Sequence, residues 1–115
     1  MDNPVIYKNG TKEWYDSDGE LHRTDGPAVV RASGYNAWYQ YGNYHRDDGP
    51  AIEHVDGGKS WYQHGLVHRD DGPAFENADG YKSWWLNDEW LTFDEYLNKV
   101  DLSDEDKVMM KLQYG

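Results

Sequence analysis

The chain contains no cysteine, which excludes disulfides and thiolate metal centres and fits a reducing compartment. It has no apolar run approaching the length of a transmembrane helix. The N-terminal "MDNPVIYKNG" lacks the basic start and apolar core of a secretory leader, so the expectation is a soluble protein of the cytoplasm. Basic residues are scarce, with 11 Lys and Arg against 22 Asp and Glu, a formal net charge of −11 over 115 residues. The imbalance is not confined to a tail: residues 1–57 carry ten acids and five bases, and residues 58–115 carry twelve and six. Such a surface repels phosphate, so nucleic acid and anionic membranes are excluded as direct partners and a basic protein surface is favoured. Phenylalanine is nearly absent, at two residues, yet six Trp and ten Tyr remain to supply buried area. A chain this short holds one compact unit.

Proline is also rare, and its four copies are evenly placed. Pro4, Pro27, Pro50 and Pro73 stand 23 residues apart, and His22, His45 and His68 keep the same step. The segment "HRTDGPA" at 22–28 returns as "HRDDGPA" at 45–51 and 68–74. The chain therefore reads as about four copies of one unit, the first of them one residue shorter. Within a unit, a short run from Pro reaches a turn at Asn9-Gly10, Ser33-Gly34, Asp56-Gly57 or Asp79-Gly80, pairs that accept the positive φ of tight hairpins. A second strand carries Trp14-Tyr15, Trp38-Tyr39, Trp61-Tyr62 or Trp84-Trp85, and a further turn comes at Gly19, Gly42 and Gly65.

Strands of four to six residues with no helical period predict a mainly β fold, an antiparallel meander of hairpins over residues 1–91. Equivalent positions (Ile6, Val29, Ile52, Phe75; the Trp column; the Tyr column; Leu21, Tyr44, Val67) are expected to stack as ladders of like with like. Neighbouring strand residues point to opposite faces, so one aromatic ladder is expected in the core and the other nearer solvent, with the choice open. Asp25, Asp48 and Asp71 precede Gly-Pro, where the carboxylate can hold a turn, and Arg23, Arg46 and Arg69 lie within reach of them. The repeated motif reads as a joint between hairpins.

The period, hairpin units and Trp-Tyr, Gly, His-Arg-x-Asp-Gly-Pro-Ala columns resemble variant MORN-type repeats, and most closely those found in proteins of tailed phages and large DNA viruses. The resemblance covers residues 4 to about 91. It implies a scaffold for binding, and, for a phage-encoded chain, action in the host cytoplasm.

The repeat stops at Leu91. Thr92 with Glu95 makes a capping box, and Phe93, Tyr96, Leu97 and Val100 recur at helical spacing. Ser103 and the acids Asp104, Glu105 and Asp106 start a second helix whose apolar set reads as Val108, Met109 and Leu112. Residues 92–115 are thus expected to fold back as a helical cap on the last repeat, or alternatively to pair two chains as a homodimer.

No nucleophile motif, phosphate loop or paired-acid spacing is present, and a chain that repeats the same groups in a row does not suit catalysis, which needs different groups around one point. No enzyme, cofactor or metal is expected: the three histidines are displaced from one another by the repeat. The residues that vary between copies are the candidates for a protein interface: the rings Tyr41, Tyr44, Trp85 and Trp90, with Asp47, Asp48, Asp70, Asp71, Asp88 and Glu89 around them. Regular acids on a rigid sheet can mimic a nucleic-acid backbone, so the leading expectation is an inhibitor of a basic host protein such as a defence nuclease. A second is a sponge for an anionic nucleotide, held in a pocket between units by His22, Arg23, His45, Arg46, His68 and Arg69 with base stacking on rings. A third is a structural or assembly protein of a virion.

Overall fold

A computed structural model describes residues 3–115. Each unit contributes one hairpin to a nine-stranded antiparallel sheet. β1 (Val5–Ile6) pairs with β2 (Lys12–Glu13), β3 (Val29–Val30) with β4 (Asn36–Ala37), β7 (Ile52–Glu53) with β8 (Lys59–Ser60), and β11 (Phe75–Glu76) with β12 (Lys82–Leu86). The second strand of each hairpin pairs with the first strand of the next, and β13 (Glu89–Leu91) closes the far edge on β12. Gly34 closes the β3–β4 turn at φ 103, a conformation that glycine adopts without a Cβ clash.

The strands are shorter than the four to six residues expected, mostly two, and in the first three units the second run of the hairpin stops at its tryptophan. Trp38 donates its amide to Ala51 O (2.7 Å), accepts from His45 N (3.0 Å), and the chain then leaves the sheet. It continues as a separate hairpin, β5 (Tyr39–Gln40) with β6 (Asn43–Tyr44), repeated as β9 (Tyr62–Gln63) with β10 (Leu66–Val67). Only in the last unit does the run stay continuous through both tryptophans.

The ladders also differ from expectation. One row across the sheet runs Val29, Ala37, Ile52, Ser60, Phe75, Ser83, so a large residue alternates with a small one. Equivalent positions lie two strands apart, and the small residue between them makes room for the branched or aromatic neighbour. In the first unit Val5, not Ile6, takes this row through Glu13, because the missing residue falls just after Pro4. Val29, Ala37 and Ile52 pack with Leu21, Tyr35, Tyr39, Tyr44 and Tyr62 as one core. Neither aromatic column is wholly core or wholly surface: Trp14, Trp38 and Trp61 are half-buried, and so are Tyr15, Tyr39 and Tyr62.

The second core lies at the C-terminal end, where α1 (Phe93–Lys99) and α2 (Asp104–Tyr114) pack on Trp84 and Leu91. The expected capping box forms: Thr92 Oγ1 accepts from Glu95 N (3.1 Å) and Glu95 Oε1 accepts from Thr92 N (2.9 Å). Ser103 caps α2 through Asp106 N. However, α2 does not bury Val108, Met109 and Leu112, which are all exposed; it buries Met110 and brings Tyr114 edge-on to Trp84 at 5.1 Å. Met110 and Tyr114 lie four apart on one face, and the tryptophan they cover sets the rotation of the helix. Among the described residues no helix is long and apolar enough to cross a membrane.

Candidate functional site: the joints and the clefts between them

The repeated motif builds the same joint three times. Arg23 lays its guanidinium over the Trp14 ring at 3.8 Å, donates from Nε to Asp25 Oδ1 (2.9 Å) and from Nη1 to Pro27 O (3.1 Å). Arg46 does the same with Trp38 (3.8 Å), Asp48 (3.0 Å) and Pro50 O (3.1 Å), and Arg69 with Trp61 (3.9 Å), Asp71 (2.9 Å) and Pro73 O (3.0 Å). The glycine between Asp and Pro lets the guanidinium fold back this closely: a Cβ on Gly72 would stand 2.6 Å from Arg69 Cζ, so a side chain there would push the arginine off its place. Arg46 and Arg69 also approach Glu53 (3.5 Å) and Glu76 (3.7 Å). The plane, fork and charge of each arginine are therefore engaged at its own joint, where one unit ends and the next begins.

The histidines tie each unit to the next. His22, His45 and His68 accept at Nδ1 from the amides of Tyr41 (3.1 Å), His64 (2.9 Å) and Asn87 (3.0 Å). An accepting Nδ1 places the ring proton on Nε2, which in His45 and His68 faces Asp47 (3.0 Å) and Asp70 (2.8 Å). Thr24 stands at the equivalent position of the first unit. Tyr41 and His64 both hold φ 51, a left-handed conformation that disfavours side chains, at the first position of a two-residue turn. The histidine below stabilises that turn, by its acceptor and by ring contact at 4.5 Å to Tyr41 and 4.4 Å to His64. The imidazoles thus serve three separate joints and do not converge.

Between successive joints lie two open clefts of similar size. The first, about 530 Å³, is bounded by Arg23 and Asp25 on one side and by Trp38, Gln40 and His45 on the other. The second, about 540 Å³, lies between Asp47 and Asp48 and the set Trp61, Gln63 and His68. In the second cleft Gln63 Nε2 donates to Arg46 O at 2.8 Å. The third place in the series is filled by the chain itself. Leu91 and Thr92 stand where the fourth His-Arg would fall, and Tyr96 enters: its hydroxyl donates to Arg69 O (2.6 Å) and accepts from Gly72 N (3.3 Å), while its ring lies 4.9 Å from Trp84.

The candidate interface residues separate into different environments. Tyr41 (65% exposed) and Trp90 (57%) project to solvent. Tyr44 sits in a ladder, 4.5 Å from Tyr39 and 4.9 Å from Tyr62, and Trp85 packs edge-on to Phe75 with Nε1 donating to Ser83. Burial, then the neighbouring Tyr44, pushes the Tyr35 hydroxyl up to about 12; burial also raises Tyr39 and Tyr62, so these three phenols stay neutral. Asp88 accepts from Val67 N at 2.8 Å, and Glu89 pairs with Lys99 at 3.2 Å. Asp47, Asp48, Asp70 and Asp71 all border the second cleft. Away from the joints, Asp16, Asp18 and Glu20 bring carboxylate oxygens within 4.8 Å in the longer turn of the first unit; Asp16 Oδ1 there accepts the amides of Asp18 and Glu20 and holds the loop.

The sequence pointed to the Arg–Asp pair and to a pocket between units, but not to the arginine–tryptophan stack or to Tyr96. One signal for Tyr96 was present: the arginine is lost at 92 where the helix begins, so Trp84 needed another cover. Compared with family models, curated proteins and solved structures, the chain has no match.

Proposed function

We propose that this chain is a non-enzymatic binding protein that engages a basic protein surface, and that, in line with its resemblance to phage and large-virus repeats, it inhibits a host protein such as a defence nuclease. One observation carries the reading: on the face that bears the joints, acids outnumber bases in both clefts, three to two in the first and five to three in the second. Each arginine is paired one-to-one with the aspartate of its joint, so the excess negative charge of that face comes from the other carboxylates, Asp47, Asp70 and Glu76, against Lys59. The same count opposes sequestration of an anionic nucleotide by these histidines and arginines. A pull-down from host lysate tests the reading: a basic partner retained at low salt and released at high salt supports it, and retention of none at either salt overturns it.

Self-pairing through the helices has an observation of its own in Val108, Met109 and Leu112, exposed together on α2. Sedimentation of the wild type and of Leu112→Glu decides it: a dimer that the charge dissolves supports pairing, and a monomeric wild type rules it out.

A further inference from the structure

The clefts are a repeated site, and the repeat sets a ruler for what can lie across it. Equivalent strands of the nine-stranded sheet are two places apart, so successive units are offset by roughly 9.6 Å at the usual strand spacing. A polyproline II segment advances about 9.3 Å per turn of three residues and returns every third side chain to the same face. A β-strand has no such match, since it places alternate side chains on one face at about 6.6 Å intervals.

The occupant of the third place shows what the groove accepts. There a side chain from a later segment enters over the tryptophan, and its hydroxyl joins the Arg69 carbonyl to the Gly72 amide. The first cleft presents the same pair, Arg23 O and Gly26 N, with no hydrogen bond among the described residues, and the second presents Gly49 N likewise. The carboxylates of Asp47, Asp48, Asp70 and Asp71 beside the second cleft are between 69% and 87% exposed, and each shows one oxygen engaged by its arginine or histidine. An entering cationic side chain therefore meets a carbonyl in the first cleft and carboxylate oxygens in both, while the Gly26 and Gly49 amides are left for backbone carbonyls of the incoming segment, which a polyproline II chain does not pair internally.

We propose that the joint face binds a basic polyproline II segment of the partner, with an arginine or lysine at every third position entering successive clefts. The proposal rests on the reading of a basic protein partner and adds the face, the conformation and the spacing. The carboxylates neutralise the two cations, and the stiffness of the ligand limits the entropy lost on docking.

Three synthetic peptides of equal length test it, titrated by fluorescence anisotropy at low and high salt: one with Arg-Pro-Ser repeats, one with the same number of arginines placed every fourth residue, and one with glutamine for arginine. The expected result is roughly tenfold or tighter binding of the three-residue spacing over the four-residue spacing, because two clefts are then filled together. Binding should weaken with salt and vanish with glutamine. The double variant Asp47→Asn, Asp70→Asn keeps an acceptor for each histidine while removing two charges, and should lower affinity severalfold with circular dichroism and melting unchanged. Equal affinity for both arginine spacings, equal affinity for spermine, or indifference to the double variant overturns the proposal. A lysate partner still retained by the double variant would leave the binding function standing and locate it elsewhere on the surface.

Discussion

Trp14, Trp38 and Trp61 each lie under an arginine, whereas Trp84 lies under Phe93, Tyr96 and Tyr114. The four tryptophans occupy equivalent sequence positions and differ in the residues downstream of them. An arginine cover is thin: it contributes about 0.5 to 2 kcal/mol of cation–π attraction, leaves the ring half-buried and, at Trp38 and Trp61, keeps a cleft open beside it. A ring cover is thick. It takes Trp84 to 8% exposure, recruits Leu91, Leu97, Val100 and Met110, and closes the groove with a hydroxyl. The chain thus uses charged joints where units must repeat and remain accessible, and apolar packing where the repeat must end.

The largest test of this contrast is truncation of the two kinds of tryptophan. Trp84→Ala should cost about 3 to 5 kcal/mol in urea unfolding, against about 2 for Trp38→Ala, since the first removes the centre of a core and the second a half-solvated ring. Equal losses would mean that the joints, not the cap, hold the fold. Next, Tyr96→Phe keeps the ring and deletes the hydroxyl that serves Arg69 O and Gly72 N, with an expected loss of about 1 to 3 kcal/mol. An unchanged denaturation midpoint would show that water replaces it freely. Arg46→Lys retains charge but loses the plane and the fork, and should lower stability by about 1 kcal/mol; no change in thermal midpoint would reduce the arginine to a solvated charge. The smallest effect has the opposite sign. His64→Asn relieves a left-handed side chain before Gly65, where Asn suits the turn, and loses one ring contact, so a rise of up to about 1 kcal/mol in unfolding free energy is expected. A fall would show that the His45–His64 contact outweighs the backbone.

The parts of this fold legible in the sequence are those set by local chemistry. The period of 23 comes from Pro and His, the turns from Gly34 and its equivalents, and the start of α1 from Thr92 and Glu95. The hidden parts depend on partners distant along the chain. Trp38 ends a strand because Ala51 O and His45 N claim its backbone, which nothing in "NAWYQ" announces. The rotation of α2 was misread because Val108, Met109, Met110 and Leu112 offer apolar atoms on several sides, and only the position of Trp84 selects Met110 and Tyr114. The arginine was rightly paired with aspartate, but its flat face needed a third residue, and the tryptophan it covers lies eight or nine positions upstream.

Among the described residues the helices seal the C-terminal end of the sheet. At the other, β1 sits at the sheet edge with Val5, Ile6 and Tyr7 exposed, and from there onward the joint histidines His22, His45 and His68 each reach forward to the next unit. The array therefore has a polarity, like a row of tiles that each overlap their neighbour. A further 23-residue tile copied between Pro27 and Gly72 would meet a ready tongue on one flank and a ready slot on the other, so the array can be lengthened in whole steps without disturbing its terminal lock.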